Sequence, residues 1–193
     1  MNNDFFDIKW NPIDVDYDEQ LKLIEHRLKI PGSIKGNKKI LVNGEDIDIF
    51  SPLVDSSWIG RVLGHVEIYD GHTFILVTKY PERCKDFNPY PKNVWVGMRA
   101  STQAEYIKDK HIKKVIAPFR FIWFQNLKES IRPALGGIDW VIIGEDDRPN
   151  HIWISNLLSE CMSYTIPIFV RPPIDQRYKR KKEFPVRVRR AYR

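Results

Sequence analysis

The chain has 193 residues and a mass of 22.9 kDa, the length of one domain or of one domain with a tail. Apolar residues make up 42% and aromatics 12%, enough for a core, which excludes disorder along the whole chain, and no apolar run approaches the ~20 residues of a membrane helix. The net charge of +6 is uneven: from Arg171 onward ten basic residues stand against two acidic ones, +8, so residues 1–170 carry −2.

In chain order, β-branched and aromatic runs alternate with helix-compatible stretches. A strand is predicted at 5–9. A helix follows at 17–29, with Leu21, Ile24 and Leu28 on one stripe. Gly32 to Gly36 reads as a turn before a strand at 39–43. A helix at 55–68 opens on Asp55-Ser56-Ser57, good capping chemistry, and carries Ile59, Val62, Leu63 and Val66. Strands at 73–78 and 93–97 precede a weaker helix at 101–111. A strand at 120–124 leads to a short helix at 126–134, broken by Pro133. A strand at 139–144, a helix at 151–163 and a strand at 166–170 complete the series. Runs such as KILVN, TFILVT, FRFIWF and DWVIIG are apolar on both strand faces, as parallel sheets require. The order predicts an α/β fold with six or seven mostly parallel strands. An open doubly wound sheet and a partial barrel both fit. No Gly-x-Gly-x-x-Gly and no phosphate-binding Gly-x4-Gly-Lys-Ser/Thr is present. By charge, residues 1–170 form the α/β domain and 171–193 a basic tail.

Ligands of such folds lie at the C-terminal ends of the strands. The polar residues falling there are Asn43, Asp46 and Asp48, then Thr78, Lys79 and Arg83, then Arg99, Gln125, Glu145 and Arg171. No Ser–His–Asp or Cys–His order is discernible among them. The acids 145–147 suit a hard metal ion, or a solvated loop that caps the next helix. The five histidines show no ligand pair at helical spacing and read as surface or capping residues. Trp95, Trp123 and Trp140 read as core, and Trp10, Trp58 and Trp153 as rim or helix packing. Cys84 and Cys161 stand far apart with no CxxC, which predicts packing thiols, no metal site and a reducing, cytoplasmic setting. The N-terminus, MNNDFFDIKW, lacks the basic-then-apolar pattern of a secretory leader. Arg177, Lys179, Arg180, Lys181, Lys182, Arg187, Arg189 and Arg190 form either an electrostatic arm for nucleic acid or a solvated, partner-docking tail.

Several blocks in order resemble a phage and prophage family, the gene-product thirty-seven/sixty-eight family. They are Trp10-Asn11-Pro12, ILVNGEDIDIF (40–50), HTFILVTKYPER (72–83), NVWVGMRASTQ (93–103), RFIWFQNL (120–127) and IDWVIIGEDDRP (138–149), with Trp153, Cys161 and IPIFVR (166–171) after them. The resemblance implies a radical SAM-like partial (β/α) barrel. It also implies a cysteine cluster after Trp-Asn-Pro, and here that place reads IDVDYDEQLKLIEHRLKI, without a cysteine. Three thiolates are needed to leave one iron of a [4Fe–4S] cluster open. Gln125-Asn126 stands where the family shows Glu-Pro, Arg99 and Ser101 where it shows Ser and Glu, and Arg171-Pro172 where it shows Lys-Gln. The expectation is a degenerate relative with no cluster and no cofactor, with S-adenosylmethionine binding as the lesser alternative. It would be a non-catalytic binding protein whose partner is nucleic acid or a phage or host protein, with no membrane. The alternatives are a cluster-independent enzyme acting on a nucleotide or nucleobase at the rim, and a radical SAM enzyme completed by thiolates from another chain.

Overall fold

In the computed structural model, seven of the apolar runs pair in parallel, each beside the next in sequence. The structure describes residues 4–15, 20–43, 47–144, 150–172, 174, 177–178 and 181–185. The strands are β1 (Ile8–Trp10), β4 (Lys39–Val42), β5 (Thr73–Thr78), β6 (Val94–Ala100), β7 (Phe119–Gln125), β8 (Trp140–Gly144) and β9 (Ile168–Val170), in that spatial order. β2 (Ile13–Val15) and β3 (Leu21–Leu23) form a separate antiparallel pair. Right-handed crossovers between sequential neighbours put the connecting elements on one face, and strand twist curls the sheet. The result is a partial (β/α) barrel, which decides against the doubly wound alternative.

Both faces are buried, which is why the strands read as unbroken apolar runs. Ile40, Phe74, Val96, Ile122, Val141 and Val170 face the helices. There they meet α1 (Ser56–Ile68), through Ile59, Val62 and Val66, and α4 (His151–Ser163), through Ile154, Leu157 and Cys161. The alternate residues, Leu41, Ile75, Val77, Phe121, Trp123, Trp140, Ile142 and Phe169, line the concave face together with Phe5 and Phe6. Gly97 makes room on that face, because a Cβ there would lie 2.5 Å from the Phe121 ring. Both long helices start where local chemistry predicts. Asp55 accepts from Ser57 N–H at 2.7 Å, and Asn150 accepts from Ile152 and Trp153 N–H at 3.0 and 3.3 Å.

Over its described residues, 20–29, the helix expected at 17–29 is not formed. Residues 21–23 pair with 13–15, and Glu25–Ser33 is a 3-10 segment anchored by buried Leu28 and Pro31. A period-two run followed by a lone anchor produces the same stripe as a helix. Long-range bonds select the observed form: Trp10 Nε1–H donates to Arg27 O at 2.8 Å, and Arg27 pairs with Asp14 at 2.6 Å. The helix expected at 126–134 is also absent, since the residue before Pro133 is biased away from the helical region and the segment instead buries Leu127, Ile131 and Leu135. The stretch 101–111 splits into α2 (Gln103–Tyr106) and α3 (Asp109–Ile112), and Pro81–Phe87 forms a further 3-10 segment. The first strand begins at Ile8, so Phe5 and Phe6 leave the sheet and turn onto its concave face.

Charge and structure divide the C-terminal part differently. Val170 N–H donates to Lys181 O at 2.8 Å and Glu183 N–H to Ile168 O at 2.9 Å, so residues 181–183 cover the edge of β9. Trp140 Nε1–H donates to Glu183 O at 2.8 Å, and the Phe184 ring packs against Trp140 and Phe169. Residues 181–184 are therefore packed on the α/β domain. No helix of the described residues is long and apolar enough to cross a membrane.

Candidate ligand-binding mouth

At the C-terminal ends of the strands, Asp48 ties three β–α units together. Its carboxylate accepts from Phe50 N–H at 3.0 Å and from Lys79 N–H at 2.6 Å, the latter just past β5. The guanidinium of Arg99, on β6, lies 4.0 Å away, and both side chains are about nine-tenths buried. A carboxylate with this many donors is a fixed acceptor that orients Arg99 across the mouth. Beyond β9, Arg171 is buried and pairs with Asp4. Its neighbour Gly144 ends β8 at φ +156°, where a Cβ would lie 2.5 Å from the Arg171 Cβ. Glycine at this position lets the arginine lie over the strand.

The structure brings Asp48, the backbone N–H of Lys79 and Arg99 together and assigns three other expected rim residues to the framework. Asn43 is fully buried at φ 46°. Its amide donates to Ile13 O at 2.8 Å and its Oδ1 accepts from Ile13 N–H at 3.4 Å, so it pins the β2–β3 pair to β4. Thr78 is buried, and its hydroxyl accepts from Tyr80 N–H at 2.8 Å to close the turn after β5. Arg83 donates to Phe50, Ser51 and Val54 carbonyls and to Ser56 Oγ, and so braces the loop that starts α1. A strand-end position cannot distinguish such roles from ligand contact, because a guanidinium at a loop satisfies carbonyls as readily as phosphates. The Lys79 residue is exposed, and Gln125 is half-buried at the end of β7, where its carbonyl accepts from Ser101 Oγ. Asp46 and Glu145 lie outside the described residues, as do Lys179, Arg180, Arg187, Arg189 and Arg190. Arg177 is exposed, whereas Lys181 and Lys182 are half-buried along the covered edge of β9.

The thiols sit elsewhere. Cys84 and Cys161 are fully buried among the residues that face the helices, not on the concave face. Burial pushes the Cys161 thiol up to about 12 and Cys84 higher still, with the Asp48 charge adding to the Cys84 shift. Both remain protonated and inert at neutral pH. Among the described residues no three His, Cys, Asp or Glu side chains converge as metal ligands. The acids 145–147 lie outside those residues. His72, expected at the surface, is buried, and its ring nitrogens join Lys38 N–H at 3.3 Å and Pro31 O at 3.1 Å.

Two groups on the concave face were not among the predicted site residues. Asp4 read in sequence only as part of an acidic, aromatic N-terminus, Phe5 as the start of a predicted strand, and Trp123 as core. Trp123 is fully buried, and its indole N–H meets no acceptor among the described residues.

No curated protein and no solved structure matches this chain. A family match covers residues 3–181, almost all of the described structure and both residues of the Asp48–Arg99 pair. The chain belongs to the family described as "Protein of unknown function (DUF5131)".

Proposed function

We propose that this protein is a cluster-less, non-catalytic relative of the radical SAM half-barrels that binds nucleic acid through its basic C-terminal residues. One observation carries the first half of this reading. Both cysteines lie on the helix side of the sheet, with burial holding them protonated, while a [4Fe–4S] cluster at the mouth would need three thiolates there. The residues present do not fit the cofactor. The place of the Asp48 carboxylate supports the same reading. It accepts two backbone N–H groups beside Arg99, so its oxygens are engaged in holding the loops that follow β4 and β5.

The binding half is supported by charge. After Arg171, which is buried on Asp4, nine basic residues stand against two acidic ones, +7, a density suited to releasing counterions from a phosphate backbone. Fluorescence anisotropy with labelled single- and double-stranded DNA and RNA at two salt concentrations tests it. Full-length protein should bind with steep salt dependence. Arg187→Ala, Arg189→Ala and Arg190→Ala together should lower the log–log salt slope by about two to three. Absence of binding to every nucleic acid by folded protein refutes this half and transfers the tail to a protein partner. Retention of iron and sulfide after anaerobic reconstitution, with the absorption of a cluster, refutes the other half.

A further inference from the structure

The residues before β1 lie along the concave face from one end of the sheet to the other. Asp7 N–H donates to Lys39 O at 2.7 Å, at the start of β4. Asp4 reaches Arg171, just past the end of β9 and 167 positions away, at 2.5 Å. Between them the Phe5 ring is fully buried. It stands edge-on to Trp123 at 5.1 Å, to Trp140 at 5.9 Å and to Phe169 at 6.2 Å between centroids. The Arg171 guanidinium carbon lies 4.8 Å from the Trp123 ring centroid and 5.2 Å from that of Phe5.

The parts divide cleanly. The aromatic walls and the arginine belong to the sheet or directly follow it, so the scaffold holds them rigid. The ring and carboxylate that fill the space belong to a segment outside the sheet, which can withdraw without breaking a strand pairing. Trp123 adds a buried N–H that Asp4 and Phe5 leave without an acceptor. A ring box, a buried guanidinium and a spare donor together make a recognition site for an aryl anion.

We propose that the concave face is a binding site for a small, single-ring aromatic acid, a carboxylate or a phosphate, with Asp4 and Phe5 as its tethered stand-in. The ligand ring takes the place of Phe5 between Trp123, Trp140 and Phe169. Its anionic group takes the place of Asp4 on Arg171 and accepts from Trp123 Nε1–H. The N-terminal segment then leaves the face. This site uses Arg171 but none of the basic residues that follow it, and its test contains no nucleic acid, so either reading can fail alone.

Calorimetric titration of the full chain with phenylacetate, phenyl phosphate and neutral benzyl alcohol tests the site. The Asp4→Ala/Phe5→Ala variant should bind at least one of the two anions saturably, about a hundredfold tighter than the wild type, whose own segment competes. Whichever anion binds better identifies the carboxylate or phosphate source. Adding Arg171→Gln should abolish binding, benzyl alcohol should bind far more weakly, and the Trp123 indole N–H resonance should shift on titration. Failure of a folded double variant to bind either anion overturns the proposal. So does equal binding by wild type and double variant, or binding unchanged by Arg171→Gln. Should the double variant not fold, Asp4→Ala alone keeps the ring and must gain thermal stabilisation, which the wild type lacks, from acetate or from inorganic phosphate. A gain from neither anion overturns the proposal.

Discussion

Replacing Arg83 by methionine keeps the apolar stem and removes the guanidinium that braces the loop before α1. Nη1 lies 3.3 Å from Phe50 O and also bonds Ser51 O, and Nη2 lies 3.0 Å from both Val54 O and Ser56 Oγ. A hydrogen bond to a charged group contributes roughly 1.5–3 kcal/mol when sheltered, but Arg83 is only half-buried and water takes up part of each loss. The summed effect is therefore about 2–3 kcal/mol rather than four full bonds. For a domain of this length about 1 kcal/mol moves Tm by roughly 2–4 °C, so the variant should melt roughly 5–10 °C below wild type. Near-ultraviolet circular dichroism on heating reads this. Hydrogen exchange should quicken at Ser57 and Trp58, at the start of α1, while β7 and β8 keep their protection. Arg83→Lys should recover little, since one ammonium cannot span the same acceptors. An unchanged Tm accompanied by lost ligand or nucleic-acid binding would refute the bracing role and return Arg83 to the rim.

Gly97→Ala places a methyl 2.5 Å from the Phe121 ring and should cost about 1–3 kcal/mol by overpacking, read as a lower urea midpoint with unchanged slope. Cys84 and Cys161, buried with raised thiol pKa, should react with a thiol reagent only as fast as the chain unfolds, and rapid labelling of the native protein would contradict their placement. Asp14 is held below its usual value of 3.8, first by the hydrogen bond from Arg27, and Asp55 likewise, first by the Ser57 hydroxyl. A depressed folded value stabilises above the unfolded pKa and loses that contribution as pH falls through the folded one. The acid limb of stability should therefore flatten below pH 4 in Asp14→Asn and Asp55→Asn, and an unchanged limb would contradict both bonds.

The framework was legible where its causes are local. TFILVT became β5 over the predicted residues, because a strand buried on both faces must be apolar throughout. Asn150 and Asp55 cap helices whose apolar stripes were already visible. Reading failed at 17–29, where Leu21, Ile24 and Leu28 satisfy a helical stripe and an extended pair followed by a 3-10 turn equally well. The bond from Trp10 to Arg27 decides between them, and nothing in the stripe contains it.

The site divides in the same way. The residue pattern established a parallel sheet with a polar mouth and placed Asp48, Lys79 and Arg99 there. It could not show that Asn43, Thr78 and Arg83 are spent on the framework, nor that residues 181–184 close the β9 edge. Only the tertiary structure set Asp4 on Arg171 and Phe5 inside the concave face. Periodicity and capping are written within a few residues of where they act. A salt bridge across 167 positions depends on how far the sheet curls, and that curl is a property of all seven strands together.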